Sequence, residues 1–207
     1  MKSYLKRMVV LLALVAVAGC GCDRNYCGVG NSGFTPDRKQ KKWEKNVFNI
    51  TTERALAGGQ KPVRDLNLTN DSEEIRIWVG FNAYPLKGII LRKEGSSSTA
   101  YYISPVQNYS DPEANIIELE SPKSGWNRLW ENLETLDLIN LPDAEEIGME
   151  DNYIDDVNIV VEVKNCAGYR TFRLFGFDIP GESSREPVQR MLKISNLLSE
   201  EFDVRLL

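Results

Sequence analysis

The chain has 207 residues, 42% of them apolar and 27% charged, which suits one globular domain with an appended segment. Its 25 Lys and Arg against 30 Asp and Glu leave a net charge of −5, and an acidic chain is by default a poor nucleic-acid binder. There is no histidine, which removes Ser-His-Asp and Cys-His catalysis, HExxH zinc sites and imidazole-based pH switching.

Met1 to Cys20 reads MKSYLKRMVVLLALVAVAGC. Lys2, Lys6 and Arg7 precede an unbroken apolar run from Met8 to Ala18. That run is short for a membrane span, which needs about 20 residues. A cationic start, a short apolar stretch and small residues at its end describe a secretory signal peptide. Its ending, Val17-Ala18-Gly19-Cys20, resembles the lipobox of bacterial lipoproteins. The resemblance implies cleavage between Gly19 and Cys20, diacylglycerol on the Cys20 thiol and acylation of the new amine. With Gly21 rather than Asp after the cysteine, it favours sorting to the outer membrane, facing the periplasm. A single acyl chain binds a membrane marginally, whereas two or more on one residue hold it durably. Loss of residues 1–19, with their three cations, takes the side-chain balance from −5 to −8.

Three cysteines then remain, Cys22, Cys27 and Cys166, an odd number for an oxidising compartment. One arrangement bridges Cys22 to Cys27 and leaves Cys166 unpaired; another joins Cys166 to one of the N-terminal pair. Without histidine or a fourth thiolate, the spacing offers no zinc site.

Residues 20–72 read as a flexible tether. Gly21, Gly28, Gly30 and Gly33 alternate with polar residues, and no apolar period is sustained. About 50 flexible residues would span roughly 40 Å, enough to hold a domain clear of lipid. The run Arg38-Lys39-Gln40-Lys41-Lys42-Trp43-Glu44-Lys45 reads as a short solvated helix, or else as an electrostatic contact with anionic head groups. Asn49, Asn67, Asn70 and Asn108 match glycosylation acceptors, taken as chance in a bacterial lipoprotein.

An α+β domain is expected over residues 73–207, an antiparallel sheet of about six strands covered by two helices. Alternating apolar residues mark strands near 75–79, 87–93, 98–104 and 115–120, with polar turns between them. Ser121-Pro122 reads as the start of a helix whose inner stripe is Trp126, Leu129, Trp130, Leu133 and Leu136, ending before Leu141-Pro142. Both tryptophans on that stripe read as core. Residues 157–164 and 169–177 flank Asn165-Cys166-Ala167-Gly168 as a hairpin. Ser183-Ser184-Arg185-Glu186 has the form of a capping box opening the last helix, striped by Val188, Met191, Leu192, Ser195, Leu198 and Phe202.

Residues 126–202 are also similar to small uncharacterised bacterial lipoprotein domains carrying W-x-x-L, L-P and Y-R segments, here Trp126 to Leu129, Leu141-Pro142 and Tyr169-Arg170. That similarity implies no activity.

Residues 143–156 are acidic, with Asp143, Glu145, Glu146, Glu150, Asp151, Asp155 and Asp156. A solvated loop is the simpler reading. Calcium, which wants several carboxylate oxygens, is the functional one, although the spacing is not that of an EF-hand loop. Candidate surface residues are Arg170, Arg173 and Arg185, set against this acidic stretch.

The sequence thus favours a non-catalytic, lipid-anchored envelope protein with a binding domain and no cofactor. Its partners would be membrane lipid through Cys20 and an envelope protein. One version is an inhibitor or self-protection protein whose acidic loop meets a basic cleft. The alternatives are a structural envelope lipoprotein and a histidine-free hydrolase working through paired carboxylates.

Overall fold

The computed structural model describes residues 42–81, 84–106, 115–149 and 157–207. Cys20, Cys22, Cys27, the signal segment and residues 150–156 therefore lie outside the described residues.

Six strands are laid down as β1 (Ser72–Phe81), β2 (Tyr84–Glu94), β3 (Ser97–Val106), β4 (Ile116–Glu118), β5 (Asn158–Asn165) and β6 (Gly168–Leu174). They form one antiparallel sheet in the order β4-β3-β2-β1-β5-β6. The first four strands meander outward from β1, and the β5–β6 hairpin then returns to pair with its other side. Each expected strand is present, in an α+β fold.

Alternation along β1 divides the sheet into two faces. Ile75, Ile77 and Val79 point to one side with Ile89, Leu91, Val161, Val163, Phe172 and Leu174, all buried. Two helices cover that side, α2 (Trp126–Thr135) and α3 (Glu186–Phe202). The Trp126 and Phe202 rings, 6.0 Å apart, lock these helices together. Trp130 is 8% exposed and donates its indole N–H to Ser98 Oγ at 3.0 Å, so both tryptophans serve the core as expected.

The helix starts are set by backbone rather than by side-chain caps. Helix α2 begins at Trp126 behind Gly125, whose φ of 84° suits a residue without Cβ, and not at Ser121-Pro122. It ends well before Leu141, as expected. In α3 the N-cap is Arg185, two residues past Ser183, so Glu186 falls at the first helical position rather than the third and no capping box forms.

The second face carries a third helix, where the sequence suggested no more than a short solvated one over Arg38–Lys45. Helix α1 (Lys42–Ala57) places Ala55, with Trp43, Val47 and Ile50, against Trp78, Phe81, Leu86, Ile90, Ile103 and Val160. Gly88 lies opposite Trp78 in the register, and a Cβ there would sit 2.9 Å from the indole ring. The missing side chain makes room for the tryptophan.

The molecule is therefore three-layered, and residues 42–72 belong to the folded unit. Residues 42–72 are therefore not tether as expected, and the domain takes in Lys42 onward instead of starting at Glu73. The physical reason is that the even-numbered positions of β1 and β5 are not a wet face. They are a polar layer that α1 and the turn after it complete.

Candidate functional site

The polar layer is built where β1, β2, β5 and β6 run side by side under α1. Register places Glu74 beside Arg92 on one flank and Lys164 on the other, and Arg76 beside Glu162. Glu74, fully buried, accepts from Arg76 and from Arg92, each at 2.6 Å. The same two guanidiniums reach the chain that follows α1: Arg76 donates to Lys61 O at 2.6 Å and Arg92 to Gln60 Oε1 at 3.1 Å. One carboxylate thus holds two strands and the linker together.

Next to it lies Glu162, 2% exposed, whose carboxylate accepts the Trp78 indole N–H at 2.8 Å and the Tyr169 hydroxyl at 3.1 Å. Tyr169 also shares a short hydroxyl contact with Thr171. The Arg64 guanidinium sits over the Phe48 ring at 4.2 Å and the Tyr169 ring at 4.5 Å, bridging α1 to β6. Burial pushes the Glu162 carboxyl above its ordinary range, opposed by Arg76, Trp78, Tyr169 and Arg64. Burial and the neighbouring Glu162 likewise push the Tyr169 hydroxyl up.

This constellation has the chemistry of an acid site but not its access. Glu74, Arg76 and Glu162 are each at most 2% exposed, so no substrate reaches them. What they do is clamp α1 and residues 60–64 onto the sheet. The sequence signal was there, in the polar side chains interrupting Val-rich β5 and aromatic β1. Its partner layer was not legible.

Among the described residues, openings lie on both faces of the sheet. A slot of about 280 Å³ lies between α1 and the β5–β6 side of the sheet, lined by Trp43, Asn46, Val47, Phe81, Asn158 and Arg173. A second pocket of about 210 Å³, on the opposite face, brings Glu73, Lys93, Trp130 and Glu134 together. Burial raises the Glu73 carboxyl above its ordinary range, with Lys93 opposing and Glu134 reinforcing the shift.

The three candidate surface arginines are absorbed by the fold rather than gathered into a patch. Arg170 donates to Ile139 O and, at 2.5 Å, to Leu141 O. Arg173 is 8% exposed and lies over the Trp43 and Phe175 rings. Arg185 donates to Ile147 O at 2.7 Å and pairs with Glu182.

The acidic stretch opens with a buried residue. Asp143, 1% exposed, accepts the backbone N–H of Glu145 at 3.0 Å and of Arg173 at 3.1 Å. Glu146 accepts the Asp143 N–H at 3.0 Å, and Ala144 N–H donates to Arg173 O at 2.8 Å. Asp143 thus organises its own turn and docks it on β6. Among the described residues no three His, Cys, Asp or Glu side chains converge as a metal site. No described helix is long and apolar enough to cross a membrane.

Cys166, at the β5–β6 turn, is disulfide-bonded. The arrangement that leaves it unpaired therefore does not hold. The Cys22–Cys27 pairing lies outside the described residues. Comparison with known proteins returns nothing: no family model, curated protein or solved structure matches the chain.

Proposed function

We propose that this chain is an exported, lipid-anchored envelope protein, attached through Cys20, whose folded domain binds a partner rather than catalysing a reaction. The observation that carries the reading is the Cys166 disulfide. Such bonds persist in oxidising compartments and are rare in a reducing cytosol. Export is what the cationic start, the apolar run and the Val17-Ala18-Gly19-Cys20 ending already imply. The binding role is supported by the fate of the buried acids: Glu74, Glu162 and Asp143 are committed to guanidinium, indole, hydroxyl or backbone donors. An inhibitor or self-protection protein fits within this reading.

Metabolic labelling with palmitate tests it. Wild type incorporates the label and sediments with membranes; Cys20→Ser does neither. A labelled Cys20→Ser protein, or an unlabelled wild type, refutes the anchor.

A histidine-free hydrolase is the second reading, favoured by Glu73 beside Glu134 in the 210 Å³ pocket. An acid with a raised pKa next to a second carboxylate is the pairing glycan hydrolysis uses. Glycan cleavage by the wild type that Glu73→Gln abolishes would establish it.

A further inference from the structure

We infer that the pocket of about 210 Å³ between the sheet and α2 is a binding site for a small zwitterion, an α-amino acid with an aliphatic side chain. This goes beyond the partner-binding reading and does not depend on the lipid anchor. It takes the pocket that the hydrolase reading would use and assigns it binding without turnover.

Strand register builds one wall. Glu73 on β1 lies directly opposite Lys93 on β2, on the face that also carries Ile75 and Leu91. Opposite charges so placed ordinarily pair across the strands. Here no ion pair joins them among the described residues, and the Lys93 ammonium lies 5.7 Å from the centre of the Trp130 ring. Helix α2 builds the other wall, because Trp130, Leu133 and Glu134 fall at helical spacing and share a face. Buried Ile75, Leu133 and Leu138 make an apolar floor. The Trp130 indole N–H is held by Ser98 Oγ, so the tryptophan presents carbon surface rather than a donor.

Charge and size select the ligand. Glu73 and Glu134 stand against Lys93, whereas Asp137 is engaged by Asn140 at 2.7 Å and Arg190 at 3.4 Å. An anion alone would meet two carboxylates, and a cation alone would meet Lys93. A molecule with both signs answers both walls: its ammonium donates to Glu73 and Glu134, and its carboxylate accepts from Lys93. Such charge-assisted hydrogen bonds are stronger than neutral ones. Burial raises the Glu73 carboxyl above its ordinary range, and an ammonium beside it supplies the donors that water no longer does. Sites for drug-sized ligands run from about 300 Å³ upward, so a smaller pocket suits a free amino acid. Its aliphatic floor suits a branched apolar side chain.

The test is a titration of the full chain with L-leucine, followed by the Trp130 indole signal in nitrogen-15 NMR. Two truncated probes separate the halves of the zwitterion: 4-methylpentanoate lacks the ammonium and 3-methylbutylamine lacks the carboxylate. L-Leucine should shift the signal saturably, and each truncated probe should bind at least about tenfold more weakly. Lys93→Met should weaken L-leucine about tenfold and leave 3-methylbutylamine no weaker than before. Glu134→Gln, on an exposed side chain, should weaken L-leucine and 3-methylbutylamine alike and leave 4-methylpentanoate no weaker. Should either variant fail to fold, the three probes on the wild type still decide. No saturable shift with L-valine, L-leucine or L-isoleucine overturns the site, as does equal affinity for L-leucine and 3-methylbutylamine. Glycan cleavage abolished by Glu73→Gln also overturns it, giving the pocket to hydrolysis, while palmitate labelling reports on the anchor separately.

Discussion

Replacing Glu74 by Gln is the sharpest probe of the clamp. The substitution keeps the volume of a fully buried side chain and removes the charge that two guanidiniums share. Arg92 is 22% exposed and can swing toward water, so its loss is small. Arg76, 1% exposed, has no such exit and keeps the Lys61 carbonyl and the field of Glu162. Breaking a buried pair from one side costs about 3–5 kcal/mol, and these remaining partners place Glu74→Gln near the lower end, about 3 kcal/mol. With a urea slope of about 2 kcal/mol/M, the unfolding midpoint should fall by about 1.5 M. Tryptophan fluorescence reports it directly, because Trp78 lies in the same layer. The double variant Glu74→Leu/Arg76→Met removes both buried charges and should recover to within about 1 kcal/mol of wild type. A single-variant midpoint within about 0.3 M of wild type would refute the clamp, as would a double variant worse than the single.

Other outcomes follow from neighbouring parts. Because burial raises the folded-state pKa of Glu162, the folded chain keeps a proton that the unfolded chain loses near the ordinary value. Stability from this group is therefore highest at low pH, falls as pH rises from about 4.3 toward the raised value, and is level beyond it. Glu162→Gln should flatten that slope in urea midpoints taken from pH 4 to 8; a variant with the wild-type slope would contradict the assignment. A chain beginning at Glu73 uncovers Trp78, Phe81, Ile90, Ile103 and Val160, each worth about 1.5–3 kcal/mol when buried. It should aggregate or bind a hydrophobic dye, whereas a chain beginning at Lys42 should give a cooperative melt. Asp143→Ala deprives two backbone N–H groups of their acceptor and should lower stability by about 2–3 kcal/mol by urea denaturation.

The strands, the two helices on the apolar face and the β5–β6 hairpin were legible because each carries a clean period: two for Ile75-Ile77-Val79, close to 3.6 for Leu129-Trp130-Leu133. Helix α1 was not, since Glu44, Thr51 and Arg54 on it are buried, and a helix that buries charge looks solvated. Glu74, Arg76 and Glu162 misled in the same way. Alternation announces that one side of a strand is polar, without saying whether water or protein will meet it. Cap positions failed for a different reason: Gly125 and Arg185 end their loops through backbone geometry, which leaves no side-chain signature.

The turn that Asp143 organises has one more consequence, at the margin of the sheet. Strand β6 is an edge of the sheet, and an open edge is a template for strand addition. At Arg173 both outward backbone groups are already taken, the N–H by the Asp143 carboxylate and the C=O by Ala144. On the other margin, β4 offers a strand of only three residues. Among the described residues the ladder open to an incoming chain is interrupted at Arg173 on one margin and only three residues long on the other. The same interruption works against edge-to-edge pairing between copies of the chain.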